Sequence, residues 1–128
     1  MAGDENVELF EHTGKAQIGL PARGSACARA GSEWLHSGSD GFRIRPLMED
    51  GPLRTWLMQV DPGTSAELHA HAEIEQIYVL EGTFTDQDST YGPGDLVVRA
   101  PGAMHTASSE TGALVLLTYV PSPASPAR

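Results

Sequence analysis

The sequence predicts an all-β domain, a sandwich or barrel of short strands, on three observations. Segments rich in β-branched, aromatic and aliphatic residues recur along the chain, turn-forming residues separate them, and no stretch of ten or more residues keeps a helical period. Fourteen glycines and nine prolines reinforce the reading. Glycine costs backbone entropy in a regular element and proline removes a hydrogen-bond donor, so neither suits a helical bundle.

The predicted strands are FRIRPL at 42–47, LRTWLMQV at 53–60, EQIYVL at 75–80, DLVVRA at 95–100 and ALVLLTYV at 113–120. Between them stand Glu49-Asp50-Gly51-Pro52, Asp61-Pro62-Gly63 and Tyr91-Gly92-Pro93-Gly94, where glycine supplies positive φ and proline presets φ for a turn. In the strand at 75–80, alternation puts Glu75, Ile77 and Val79 on one face and Gln76, Tyr78 and Leu80 on the other. Both faces are largely apolar, which calls for a second layer or a subunit interface, with Tyr78 on the interface side.

A chain of 128 residues, two-fifths apolar, supports one core. The expected organisation is an irregular arm or cover over 1–32, a barrel over 33–120 and a disordered proline-rich tail over 121–128. A formal charge of −9 disfavours nucleic acid and anionic membranes. No apolar run is long enough for a membrane span and the first residues are acidic, so a soluble cytoplasmic protein is expected. Cys27, the single cysteine, excludes an internal disulfide and a cysteine-based zinc site.

The chemistry concentrates in three of the five histidines. His69 and His71 are one residue apart, so a strand would project both imidazoles from the same face. Glu75 can reach back across a turn to add a carboxylate, and His105 follows a second turn, Pro101-Gly102-Ala103-Met104. Imidazole suits zinc, iron, copper and nickel, the carboxylate adds tolerance for iron and manganese, and no thiolate is present. The expected cofactor is one divalent transition metal among Fe, Zn, Mn and Ni, with Fe or Zn favoured and open positions left for substrate or dioxygen. His12 and His36 lie outside this grouping. Glu73 and Glu81 read as solvated turn carboxylates or as acceptors for a ligand imidazole. Trp56, Met58, Ile77 and Met104 are candidates for lining a substrate pocket.

The run GTSAELHAHAEIEQIYVLEG, residues 63–82, resembles the first cupin motif, matching it at Gly63, His69, His71, Glu75 and Gly82. The run GDLVVRAPGAMH, residues 94–105, is similar to the second motif at Gly94, Gly102 and His105, and departs from it at Ala100, usually proline, and Ser109, often asparagine. The longer stretch 34–119 resembles the small cupins related to the C-terminal domain of ChrR-type anti-sigma factors. What the resemblance implies is a double-stranded β-helix, the jelly-roll barrel of the RmlC-like superfamily, often dimeric, with the metal inside. Three functions follow as expectations. The first is a non-haem metal dioxygenase acting on a small diketone or aromatic compound. The second is a non-redox Lewis acid enzyme of the polyketide-cyclase, lyase or isomerase type, and the third a zinc-binding ChrR-like sensor or interaction module.

Overall fold

The computed structural model describes residues 13–31 and 33–122, apart from the side chains of Leu68 and His69. Expectations placed on residues 1–12, His12 included, and on 123–128 lie outside the described residues. Among the described residues ten strands follow one another: β1 Leu35–His36, β2 Phe42–Asp50, β3 Leu53–Val60, β4 Thr64–His69, β5 Ile74–Gly82, β6 Phe84–Thr85, β7 Thr90–Tyr91, β8 Leu96–Arg99, β9 His105–Ser109 and β10 Ala113–Val120. They form a six-stranded antiparallel sheet in the order β1-β2-β3-β10-β5-β8 and a four-stranded one in the order β4-β9-β6-β7. The all-β expectation holds. The five strands read from the sequence are present; β1, β4, β6, β7 and β9 are short or polar and carry too little apolar alternation to be found that way.

Strict alternation in β3 and β10 aims every second residue into the barrel. Cross-strand register then stacks these residues in layers. Phe42, Val60 and Ala113 form one layer; Ile44, Met58, Val115 and Val79 the next; Pro46, Trp56, Leu117 and Ile77 the third. All are buried, and the other sheet closes over them with Phe84 and Ala107. The fourth layer is polar: Glu49, Arg54, Tyr119, Glu75 and Arg99 lie side by side across β2, β3, β10, β5 and β8.

Glu49 joins this layer because of a bulge. Register shifts between Pro46 and Met48, where proline has no N–H for the ladder, and the extra residue turns Glu49 toward Arg54. The arm is tied down at the same place. Thr13 and Gly14 donate backbone N–H groups to the Glu49 carboxylate at 2.9–3.1 Å, the Trp56 indole donates to it at 2.8 Å, and Ile18 bridges in parallel to Met48.

The second sheet covers only one face of β5: Glu75, Ile77 and Val79 are buried, whereas Tyr78 is 41% and Leu80 39% exposed within the chain, on the outer face of the six-stranded sheet. Leu96 and Val98, the cross-strand partners of Tyr78 and Gln76, are exposed beside them.

The turn from β5 into β6 depends on one glycine. Gly82 has φ +76°, and a Cβ there would collide with the carbonyl oxygen of Gly112. Gly51 also has positive φ, +59°, but faces open space. Both alanine variants should lose roughly 1–2 kcal/mol to the left-handed backbone. Gly82→Ala adds a backbone clash, so thermal melting should place it clearly below Gly51→Ala.

Candidate metal centre

Glu75 enters the barrel from β5 and is 3% exposed. Burying a carboxylate costs several kcal/mol unless cations and donors meet it, and its strand neighbours do so. On the β8 side the Arg99 Nε donates to Oε1 at 3.0 Å; on the β10 side the Tyr119 hydroxyl donates to Oε2 at 2.9 Å. Arg99 is itself anchored, its other arm donating to Asp86 Oδ2 at 2.8 Å. Asp86 also accepts from the Tyr91 hydroxyl and from the backbone of Asp88 and Ser89.

The imidazoles approach Glu75 from the other side. His105, on β9, is 2% exposed and places Nε2 3.3 Å from Oε1. His71 places Nε2 3.7 Å from Oε2. The reading of His69 and His71 as one strand face needs correction here: β4 ends at His69, and His71 stands on the irregular segment that leads to β5. Its position is fixed by the second motif, since the Gly102 N–H donates to the His71 carbonyl at 2.7 Å, and by its ring packing 5.0 Å from that of Tyr119. His69 pairs with His105 in backbone register, and its side chain lies outside the described residues.

One donor atom each from His71, Glu75 and His105 lies within 4.8 Å of the others, in a fully buried group. Donors bound to one ion at roughly 2.1 Å lie about 3.0–3.4 Å apart when adjacent and about 4.2 Å apart when opposite, so the three side chains would draw together onto a single ion. Two nitrogens and an oxygen suit zinc, iron, manganese or nickel. The donor set fits a transition metal.

Burial alone raises the Glu75 carboxyl. The His105 hydrogen bond and the charges of His71, His105 and Arg99 outweigh it and hold the group at about 2. Asp86 is likewise lowered, with burial opposed by Arg99 and by the Asp88 and Ser89 backbone. Tyr119 moves the other way, well above the usual phenol range, through burial and then the Glu75 charge, so it stays protonated and donates.

The remaining candidates fall elsewhere. Trp56, Met58 and Ile77 belong to the core layers, whereas Met104 is 52% exposed on the turn before β9. Glu81 is exposed. Glu73 does not sit in solvent; it faces Arg54, with Nη1 3.6 Å from Oε2. His36 is exposed and accepts from the Gly38 N–H. Sequence reasoning missed Arg54, Asp86, Arg99 and Tyr119. For Arg54, Arg99 and Tyr119 a polar residue inside an apolar strand was the available signal, but only register tells which of them face Glu75; Asp86, on the turn after β6, gave no such signal.

The ChrR cupin-like domain model matches residues 23–123. The chain belongs to this cupin family. Among solved structures it is similar to the anti-sigma factor ChrR of Rhodobacter sphaeroides, crystallised with SigE, at 24% identity and TM-score 0.63 over 70% of this chain and 50% of that one. It therefore spans half the length of that ChrR chain. An RmlC-like cupin from Ralstonia eutropha aligns at TM-score 0.70 and 15% identity over 77% and 69% of the two chains. A predicted oxalate decarboxylase from Thermotoga maritima aligns at 0.59 and 24% over 70% and 91%. No curated protein matches the sequence significantly. These likenesses establish the cupin fold. Among the described residues no helix is long and apolar enough to cross a membrane.

Glu75→Gln should leave the barrel folded and weaken metal binding by more than the ~10–100-fold that follows loss of a partner behind a ligand; metal titration against a chromogenic chelator measures this. A second expectation concerns acid. Glu75 and Asp86 have folded pKa values below their unfolded ones, so their contribution to stability is present above the ordinary carboxyl range near ~4 and is lost as pH falls through the lowered values, about 2 for Glu75. Melting temperatures of metal-free protein between neutral and strongly acidic pH should show that decline.

Proposed function

We propose that this cupin is a metal-dependent enzyme acting on a small organic substrate, in the first instance a non-haem dioxygenase of diketones or electron-rich aromatic compounds. The observation that carries the reading is the convergence of His71, Glu75 and His105 from a loop, one sheet and the other sheet onto one buried point. His69, matched by the first motif, would complete the set. When bound, a redox-active ion supplies activation of dioxygen, whereas a zinc-like ion supplies Lewis acidity.

The chain's own residues would do the rest. Arg99 and Tyr119 orient Glu75, so the donor geometry is set before any ion or substrate arrives. The apolar layer beneath, with Trp56, Leu117 and Ile77, keeps the floor of the site dry. Tyr119 holds a proton on its hydroxyl, 2.9 Å from Glu75 Oε2.

That retained proton favours a second reading, non-redox lyase, isomerase or cyclase chemistry, in which a phenol beside the ion donates to an oxygen gaining charge. The two readings separate in one experiment: metal analysis of protein purified without chelators, then turnover of diketone and aromatic compounds with and without oxygen. Iron with substrate-dependent oxygen uptake supports the dioxygenase. Zinc or nickel with oxygen-independent turnover supports the Lewis acid enzyme, and a bound metal with no turnover points instead to a ChrR-like sensing role. In every case His105→Ala should abolish stoichiometric metal binding, and wild-type protein should release metal as pH falls through the free histidine pKa of ~6.5.

A further inference from the structure

The polar layer holds two arginines, and they are used differently. Arg99 is gripped at two of its three nitrogens: Nε and Nη1 lie 3.0 and 2.8 Å from the carboxylates of Glu75 and Asp86, near the length of charge-assisted hydrogen bonds, and only Nη2 is without a partner among the described residues. Arg54 is buried more deeply, its side chain 4% exposed, yet its contacts are loose. Nη1 is 3.6 Å from Glu73 Oε2 and 3.5 Å from the Pro52 carbonyl. Its Nε and Nη2, and the Oε1 of Glu73, find no hydrogen-bond partner among the described residues. A buried guanidinium left this way is a strong, directional anion receptor.

Position says what it would serve. The Arg54 guanidinium stacks over the Tyr119 ring, 4.4 Å from its centre, and the His71 ring lies 5.0 Å from that same centre. Arg54 and His71, one of the candidate ligands, thus both pack against one aromatic ring. Glu73 belongs to the irregular segment between β4 and β5, so its carboxylate can swing away without breaking a strand pair.

We propose that Arg54 is the receptor for a carboxylate of the substrate, that Glu73 occupies it as a placeholder, and that the substrate class is therefore small organic acids. This rests on the metal-enzyme reading above and deepens it: a diketone or aromatic substrate would have to carry a carboxylate. The acid would displace Glu73 from the guanidinium and direct its other end toward His71, Glu75 and His105.

The test is calorimetric binding of malonate, succinate and glutarate, each against its uncharged diamide, to metal-loaded and to metal-free protein. At least one acid should bind wild type with its diamide far weaker. Arg54→Met should lose about ten- to hundredfold in acid affinity, the scale of a charge-assisted hydrogen bond. Glu73→Gln should bind the acid more tightly than wild type, because the rival carboxylate is gone. Acid binding unchanged in Arg54→Met, diamides binding as well as acids, or no acid binding at all would overturn the proposal. Should Arg54→Met fail to fold, Glu73→Gln decides alone, and unchanged or weaker acid binding there overturns it. Metal content in the same samples keeps the two readings apart. One ion per chain with acid binding indifferent to Arg54 removes the receptor and leaves the enzyme; Arg54-dependent binding without metal uptake does the reverse.

Discussion

The buried carboxylate of Glu75 is the constraint around which this end of the barrel is organised. An ionised carboxylate in an apolar interior is untenable alone, and its partners come from every side: Arg99 from the edge strand β8, Tyr119 from β10 and the imidazoles from beyond the sheet. Arg99 brings the same problem with the opposite sign, solved by Asp86 at the start of the β6–β7 turn. Each group is there because another would be intolerable without it. The preorganised geometry of the three candidate ligands is the by-product of that balance.

Register is what delivers the balance. A slip of one residue in any of β2, β3, β10, β5 or β8 would exchange the polar layer for outward-facing residues and bring polar groups into the core. Two irregularities adjust the parity: the bulge between Pro46 and Met48 turns Glu49 inward, and the shift opposite Leu114 and Val115 keeps both Val79 and Gly82 in the inner rows. Through Glu49 the layer also reaches the arm, whose Thr13 and Gly14 share one carboxylate with the Trp56 indole. The arm is thus held by the same polar chemistry as the site.

The long strands were legible because their apolar residues alternate over eight or nine positions, and the ligand types because histidine and glutamate at fixed spacing between glycines have few other uses. What stayed hidden was pairing. Nothing in LRTWLMQV or ALVLLTYV says that Arg54 lies opposite Tyr119, or that Tyr119 lies opposite Glu75; that follows from turn lengths and bulges acting together. The same gap placed His71 on a strand rather than on the segment after it. Nor does sequence say what meets the outer face of β5, because an apolar strand face looks the same whether water or a partner covers it.

Charge accounting across the layer ties the site to its ligands. The carboxylates of Glu49, Glu73, Glu75 and Asp86 exceed the guanidiniums of Arg54 and Arg99 by two negative charges, which a single divalent ion would neutralise. A further anion would unbalance a layer in which screening by water is weak, unless it replaced one already present. Glu73 is the member that can leave: Glu75 and Asp86 are gripped by Arg99, and Glu49 is fixed by the arm and the Trp56 indole, whereas Glu73 holds its partner at 3.6 Å from a loop. Exchange of one carboxylate for another on Arg54 would keep the charge constant while an acid enters beside the candidate metal centre, which is why the loosest ion pair in the layer, rather than the tightest, marks where a substrate would bind.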